Sequence, residues 1–192
     1  MHHIYHTEGI ILDSKDFGEA GRYYFVFTRE FGMLMASAQG VRKMSSKLRF
    51  VLQDFAYVKI DLVKGRDLWR ITSASKTNQL ESIKEKHILE VFSKIAKLLR
   101  RLLVGEDANQ ILFDDVLRGF LVLEKTKSKE EAYNTEAVIV LRILHNLGYI
   151  GGDEATKDLI CSPFEKDLIF MASNNRTRIL NQINKALKET HL

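Results

Sequence analysis

The periodicity of the chain changes near Leu80, and this change constrains the fold more than any other feature of the sequence. Before it, short runs of β-branched and aromatic residues alternate with glycine-containing turns, a pattern typical of strands. The predicted strands are residues 7–12, 22–29, 33–41, 50–63 and 68–75, and residues 64–67 are predicted to form a tight hairpin turn. Five short strands without an intervening helical segment predict a small barrel.

After residue 80 the apolar residues recur with a helical period. One stripe comprises Ile88, Phe92, Ile95, Leu99 and Leu102, with Lys and Glu on the other face. This helix is predicted to end at Gly105, and further helices are predicted over residues 109–124, 129–147 and 176–188, with a loop over 151–163. The helix 129–147 is apolar on nearly all sides over 137–147, which predicts a central position. The fold class is therefore α+β, with a barrel domain at 1–80 and an all-helical domain at 81–192.

The composition excludes several classes of protein. A chain of 192 residues with 45% apolar residues can bury a core, so global disorder is not expected. Cys161 is the single cysteine, which excludes an internal disulfide and a multi-cysteine zinc site within the chain and is typical of a reducing cytosol. No apolar run is long enough for a membrane span and no signal peptide is recognisable, so we expect a cytoplasmic protein without membrane contact.

Positive charge is concentrated in the first part of the chain. Residues 1–80 carry 12 Lys or Arg against 8 Asp or Glu, whereas residues 81–192 carry 17 of each. The densest run, residues 39–49, contains Arg42, Lys43, Lys47 and Arg49 and no acid. Such a surplus beside a β segment is typical of a nucleic-acid-binding surface. A solvated, flexible loop would have the same composition, and the run alone does not separate the two interpretations.

The second predicted strand is apolar or aromatic on both faces. Tyr23, Phe25 and Phe27 share one face, and the other face carries Tyr24, Val26 and Thr28. One face must fill the barrel, and the other is either covered by the helical part of the chain or available to stack on bases. On the last strand, Arg70 alternates with Trp69 and would point outward beside Arg66, extending a basic groove.

Signals for catalysis are weak. The chain contains neither a G-x-x-x-x-G-K-[ST] phosphate-binding loop nor a G-x-G-x-x-G sequence. Asp13, Asp16 and Glu19 lie close together in sequence, but such loop acids are more typical of turns and helix caps than of a magnesium site. We therefore expect a protein that is not an enzyme, with no catalytic residue, no metal and no cofactor.

Several motifs, taken in order, resemble the bacterial RecO recombination mediators. They are the opening TEGIILDSKDFGEAGR at 7–22, FTREFG at 27–32, AQGVR at 38–42, LQDF at 52–55, DLWRI at 67–71 and, more loosely, LRILHNLGY at 141–149. The resemblance implies an N-terminal five-stranded OB-fold barrel followed by a helical domain. It also implies a nucleoid-associated protein of the cytoplasm that binds single-stranded DNA, anneals complementary strands and helps load recombinase onto strands coated by single-strand-binding protein.

The partners that the resemblance implies are single-stranded DNA, RecR and the acidic C-terminal tail of single-strand-binding protein. Arg22, Arg42 and Lys43 fall on basic positions of the matched motifs. The chain departs from many relatives in lacking a four-cysteine zinc site after the LGY sequence, so residues 150–164 must be held by packing instead. It also has Gly21 where relatives usually have Asp, and Phe25 where a smaller or polar residue is common.

These observations together predict a single-strand DNA-binding and annealing protein. The predicted DNA-binding residues are Arg22, Arg42, Lys43, Lys47, Arg49, Arg66 and Arg70. A second predicted surface, for an acidic partner peptide, follows an exposed stripe of the first long helix and comprises Lys94, Lys97, Arg100 and Arg101, although a helix face that only contacts solvent would carry the same residues. The alternative is a protein-interaction adaptor whose basic loop contacts an acidic partner rather than DNA.

Overall fold

The structure is a computed structural model that describes residues 3–66, 68–77, 80, 85–151 and 154–189, without the side chains of 154, 155 and 166. Its strands are β1 (Ile4–Phe17), β2 (Gly21–Thr28), β3 (Gly32–Ala38), β4 (Tyr57–Lys64) and β5 (Trp69–Lys76). Its helices are α1 (Leu48–Val51), α2 (Lys86–Leu102), α3 (Gln110–Glu124), α4 (Lys129–Asn146), α5 (Glu154–Cys161), α6 (Lys166–Asn174) and α7 (Arg176–Glu189).

The chain divides into two compact units. The first comprises Met1–Ser82 with Ala96–Phe113, and the second comprises Ile83–Ile95 with Asp114–Leu192. The described residues from 96 to 113 thus accompany the barrel in the first unit. The predicted division at residue 80 into a barrel domain and a helical domain stays a prediction.

The first unit is built on a closed barrel with the strand order β1-β2-β3-β5-β4. All pairings are antiparallel except that of β3 with β5, which is parallel and consists of Ala36 opposite Trp69 and Ser37 opposite Arg70. A register shift between Ile11 and Asp13 bends the long strand β1, so that it pairs with both β2 and β4. This topology is that of an OB-fold, and the predicted fold class is confirmed.

Alternate residues of each strand fill the barrel. On β2, Tyr24 and Val26 point into the core, together with Leu34 of β3 and Trp69 and Ile71 of β5. Trp69 is 4% exposed, as the alternation with Ile71 predicts. Thr28, also fully buried, satisfies its hydroxyl by donating to the Gly32 carbonyl and accepting from the Phe31 amide.

The predicted strand at 50–63 is wrong in its first half. Residues 48–51 form the short helix α1, and β4 begins only at Tyr57. Phe55 has a φ of 66°, a left-handed conformation that interrupts an extended chain. Its amide donates to the Ile11 carbonyl, at the bend of β1. A helix of four residues is about one turn long, which is too short for a helical period to distinguish it from a strand.

The segment between α2 and α3 is fastened to the barrel by side chains and by a close backbone approach. The Glu106 carboxylate accepts hydrogen bonds from Lys64 Nζ and Trp69 Nε1, both at 2.7 Å. Gly32 has a φ of 67°, and a Cβ at this position would overlap the backbone of Asp107. Only glycine therefore fits the β2–β3 turn where this segment passes.

In the second unit α4 is buried on most sides, as predicted. Its Ser128 N-cap accepts from the Glu131 amide at 3.1 Å, and the glutamate side chain accepts from the Lys127 amide. After its last turn Gly148 adopts a φ of 79° and its amide donates to the His145 carbonyl, an arrangement typical of a glycine that ends a helix.

The predicted loop over 151–163 is corrected in the structure, since α5 occupies most of it and α6 follows Pro163. The buried Arg142 of α4 binds this segment by donating to the carbonyl oxygens of Leu159, at 2.9 Å, and Ser162. The same guanidinium donates to Asp115 at 3.1 Å and lies 4.4 Å from the centre of the Phe164 ring. The segment is thus held by a hydrogen-bonded arginine as well as by packing.

No described helix combines the length and the apolar composition that a bilayer-spanning segment requires.

Candidate nucleic-acid interface

Three of the predicted DNA-binding arginines meet at one end of the barrel. Arg22 opens β2, Arg42 follows the turn after β3, and Arg49 lies in α1. With Tyr24 and Val41 they line a cavity of about 210 Å³, here called the mouth cavity. Residues far apart in sequence meet here because β2 and β3 pair, with Arg22 opposite Ala38.

Local backbone contacts shape the loop that carries Arg42. Gly40 has a φ of 66°, which turns the chain sharply after β3. The Arg42 amide then donates to the Ala20 carbonyl at 3.1 Å, and the Lys43 amide donates to the Gly40 carbonyl at the same distance. These bonds hold the start of the cationic run against the β1–β2 turn.

One carboxylate lies among the arginines of the mouth cavity. Asp16 accepts from Arg22 Nε at 2.7 Å and lies 3.5 Å from Arg42 Nη1, while Arg42 Nη1 also lies 3.4 Å from the Gly18 carbonyl oxygen. The bond to Asp16 raises the pKa of Arg22, and burial raises the pKa of Tyr24. Asp54 acts electrostatically on Arg22 and Tyr24 as well. Among the described residues, three guanidinium groups and two carboxylates leave the mouth cavity with a small surplus of positive charge.

Arg49 has no acidic partner among the described residues. Its Nη1 lies 3.1 Å from Met44 Sδ, and its guanidinium lies 4.7 Å from the centre of the Phe50 ring. Phe50 is itself 57% exposed, so this pair presents a cation and an aromatic face to solvent.

The remaining predicted cations do not line the mouth cavity. Lys43 and Lys47 are exposed in the same loop and form no ion pair within the described part of the chain. Arg70 is exposed on β5, opposite Ser37, which in turn lies opposite Tyr23 of β2. Arg66 is exposed in the β4–β5 turn, whose Asp67 lies outside the described residues. Neither Arg66 nor Arg70 lines the mouth cavity.

The three aromatic side chains on the outer face of β2 lie in three different environments. Phe27 is buried against Phe113, with ring centres 5.3 Å apart. Phe25 is half-buried beneath the Arg100 guanidinium, at 3.8 Å from the ring centre. Tyr23, also half-buried, stacks on Phe17 with 4.4 Å between ring centres. Phe27 is therefore covered, whereas the Phe17–Tyr23 pair reaches the surface, and stacking of bases on this face stays a prediction.

The four cations of the predicted stripe on α2 lie in different environments, and their role in binding a partner stays a prediction. Lys94 lies 3.5 Å from the Glu136 carboxylate and 5.3 Å from the Tyr133 ring centre. Arg100 binds the Asp13 carboxylate. Lys97 and Arg101 are exposed and form no ion pair within the described part of the chain. Two of the four cations thus have an acidic neighbour on another element, which helical spacing does not reveal.

Comparisons with known proteins agree with this architecture. The family model described as Recombination protein O N terminal matches residues 1–80. The DNA repair protein RecO of Heliobacterium modesticaldum is 30% identical over 147 residues, which cover 76% of this chain and 52% of that protein. The proteins of the same name from Clostridium novyi and Bacillus subtilis are each 26% identical, over 82% and 75% of this chain and over 60% and 54% of their own lengths.

The aligned part thus spans between about half and three fifths of these curated relatives. Within it the matches run from the barrel into the helical part of the chain. The family model and the named relatives agree on one assignment: the chain belongs to the bacterial RecO family.

Proposed function

We propose that this chain binds single-stranded DNA at the barrel mouth and acts in DNA repair and recombination as a strand-annealing mediator. The observation that carries the proposal is the convergence of Arg22, Arg42 and Arg49 on one concave site. Binding of phosphates there would release counterions, which is the main source of affinity in such complexes.

The aromatic pair on the neighbouring strand surface supports a single-stranded rather than a double-stranded ligand. Tyr23 follows Arg22 directly and is stacked on Phe17. OB-folds bind single strands by combining a cationic groove with aromatic side chains on which unpaired bases stack. Bases of a duplex are stacked on each other and do not offer their faces in this way.

The family assignment supports the wider role. The curated relatives carry the name DNA repair protein, and we propose the same process for this chain, without an enzymatic step. The proposal includes loading of recombinase onto strands coated by single-strand-binding protein. RecR and the tail of single-strand-binding protein are the proposed protein partners, in a nucleoid-associated setting.

The salt dependence of oligonucleotide binding tests the assignment of the site. A variant with Ala at Arg42, Lys43, Lys47 and Arg49 loses four exposed or half-exposed cations while leaving the Arg22–Asp16 pair intact. If all four contact phosphates, the slope of log affinity against log salt falls by about 2.8, since each single-strand contact contributes about 0.7. Strand annealing of complementary oligonucleotides is expected to slow in parallel.

A matched control removes four exposed lysines of the second unit. Lys125, Lys127, Lys157 and Lys188 are all exposed, and their replacement by Ala changes the net charge by the same amount. This control should keep the wild-type slope. Equal slopes for the loop variant and the control would contradict the proposed site. If the protein binds an acidic peptide but no oligonucleotide, the alternative of a protein-interaction adaptor is favoured instead.

A further inference from the structure

A second groove lies in the first unit, beside the outer face of β2 and β3. It has a volume of about 490 Å³, and its opposite wall is the C-terminal half of α2. The residues that matter here are Phe25, Met33 and Met35 on the sheet side and Lys97, Arg100 and Arg101 on the helix side. We call it the β2–α2 groove.

The apolar floor of the β2–α2 groove is open to solvent. Met35 is 45% exposed, and Val104, at the end of the groove, is 87% exposed. Large apolar side chains exposed together in a concave site are typical of ligand-binding surfaces.

The rim carries two cations that the protein itself does not neutralise. Lys97 and Arg101 are separated by one helical turn, about 6 Å along the axis, and so lie on the same side of α2. Both are exposed, and neither forms an ion pair within the described part of the chain. The groove therefore attracts an anionic ligand with more than one charge.

Arg100 differs from its two neighbours because its charge is already matched. Its guanidinium binds the Asp13 carboxylate and lies 3.8 Å from the centre of the Phe25 ring. These two contacts fix a planar group whose side chain is still 32% exposed. A fixed guanidinium plane is a surface on which an unpaired base can stack.

We propose that the β2–α2 groove is a second subsite for single-stranded nucleic acid, continuing the path from the mouth cavity. A base stacks on Arg100 against the Met35 thioether, while Lys97 and Arg101 bind the adjoining phosphates. The continuity is given by β2, on which Arg22 of the mouth cavity is followed by Tyr23 and then, on the same face, by Phe25. This inference rests on the proposed function, because it extends the same strand.

The test compares oligonucleotides of graded length on a Lys97→Ala, Arg101→Ala variant. Short oligothymidylates that fill only the mouth cavity should bind as they bind to the wild type. Oligomers near the upper end of OB-fold site sizes, about 16 nucleotides, should bind about 25-fold more weakly in 0.1 M salt, with a slope lower by about 1.4. The control, Lys86→Ala with Arg118→Ala, removes one lysine and one arginine, both exposed on helices, and should leave both lengths unaffected.

A second variant tests the stacking surface separately. Arg100→Lys keeps a cation beside Asp13 but removes the plane, and it should weaken the long oligomers about fivefold without changing the salt slope. An iodouracil placed in the bound oligomer should crosslink to β3 or α2 on irradiation, as mapped by mass spectrometry of the peptides.

The outcomes separate this inference from the proposed function. If the wild type shows no salt-dependent binding of any oligonucleotide, the proposed function fails. If the loop variant loses binding but the Lys97, Arg101 variant matches its control at every length, only the second subsite is refuted. If the Lys97, Arg101 variant no longer binds an acidic peptide but binds long oligomers as the wild type does, the second subsite is also refuted. The groove would then be assigned to a protein partner.

Discussion

The buried arginine of α4 allows the most quantitative prediction about the second unit. The Arg142 side chain is 5% exposed, and its guanidinium serves the Leu159 and Ser162 carbonyls as well as Asp115. Burial lowers the pKa of Arg142, and Asp115 acts against this effect. Replacement by Met fills much of the volume but leaves three acceptors without their donor.

The expected loss follows from these partners. Removing one member of a buried ion pair costs about 3–5 kcal/mol, and an unsatisfied buried carbonyl costs about 1–3 kcal/mol. Asp115 is 20% exposed and keeps a hydrogen bond from Asn146 Nδ2 at 3.0 Å, so its own share is reduced. We therefore expect Arg142→Met to lower the free energy of unfolding by about 3–4 kcal/mol.

Urea unfolding followed by circular dichroism measures the loss, with Arg118→Met as the control. Arg118 is exposed on α3, and its replacement should change the free energy of unfolding by no more than about 0.5 kcal/mol. Limited proteolysis should show new cleavage first around α5, since Arg142 binds its last turn. A loss below about 1 kcal/mol at unchanged denaturant slope would refute the argument that this guanidinium holds the segment.

Two further predictions concern the barrel. Gly32→Ala should lower the free energy of unfolding by about 2–4 kcal/mol, because φ is 67° and the new methyl group meets the Asp107 backbone. Gly105→Ala is the control and should cost about 1 kcal/mol, since its φ is 87° but no atom lies near the added Cβ. Equal losses in thermal unfolding would refute the steric contribution at Gly32. Burial, with a smaller effect of the hydrogen bond to Glu8, raises the pKa of Tyr57 from 10.0 to about 12. Its contribution to stability should be complete below pH 10 and lost as the pH rises to 12, and this loss should be absent in Tyr57→Phe when urea unfolding is repeated across that range.

The sequence predicted the barrel because short runs of β-branched and aromatic residues are separated there by glycine-containing turns. It failed at α1 and at α5, where short segments carry too few residues to show a period. Gly151, Gly152 and Pro163 flank the α5 segment in the sequence, and such residues are typical of loops. Turn-forming residues mark the ends of a short helix as readily as those of a loop, and only tertiary contacts decide between them.

The candidate site was predictable in its charge but not in its geometry. The cationic run at 39–49 is visible in the sequence, whereas the meeting of Arg22 with Arg49 depends on how β2, β3 and α1 come together. The pairing of Arg100 with Asp13 joins residues 87 positions apart, and no local sequence pattern predicts it. No sequence signal identifies Met33 and Met35 as groove residues, because their alternation with Leu34 and Ala36 indicates only a strand with apolar side chains on both faces.

The parallel contact between β3 and β5 gives the barrel one narrow seam. Only two residue pairs form it, supported by a hydrogen bond from Ser37 Oγ to the Trp69 carbonyl at 3.3 Å. Breaking so few bonds requires less free energy than separating any other neighbouring pair of strands, so local opening of the barrel should begin between β3 and β5. Arg70 lies in this contact, opposite Ser37. A polyanion that binds Arg70 and β3 together would hold the two strands next to each other, so its binding would stabilise the closed barrel.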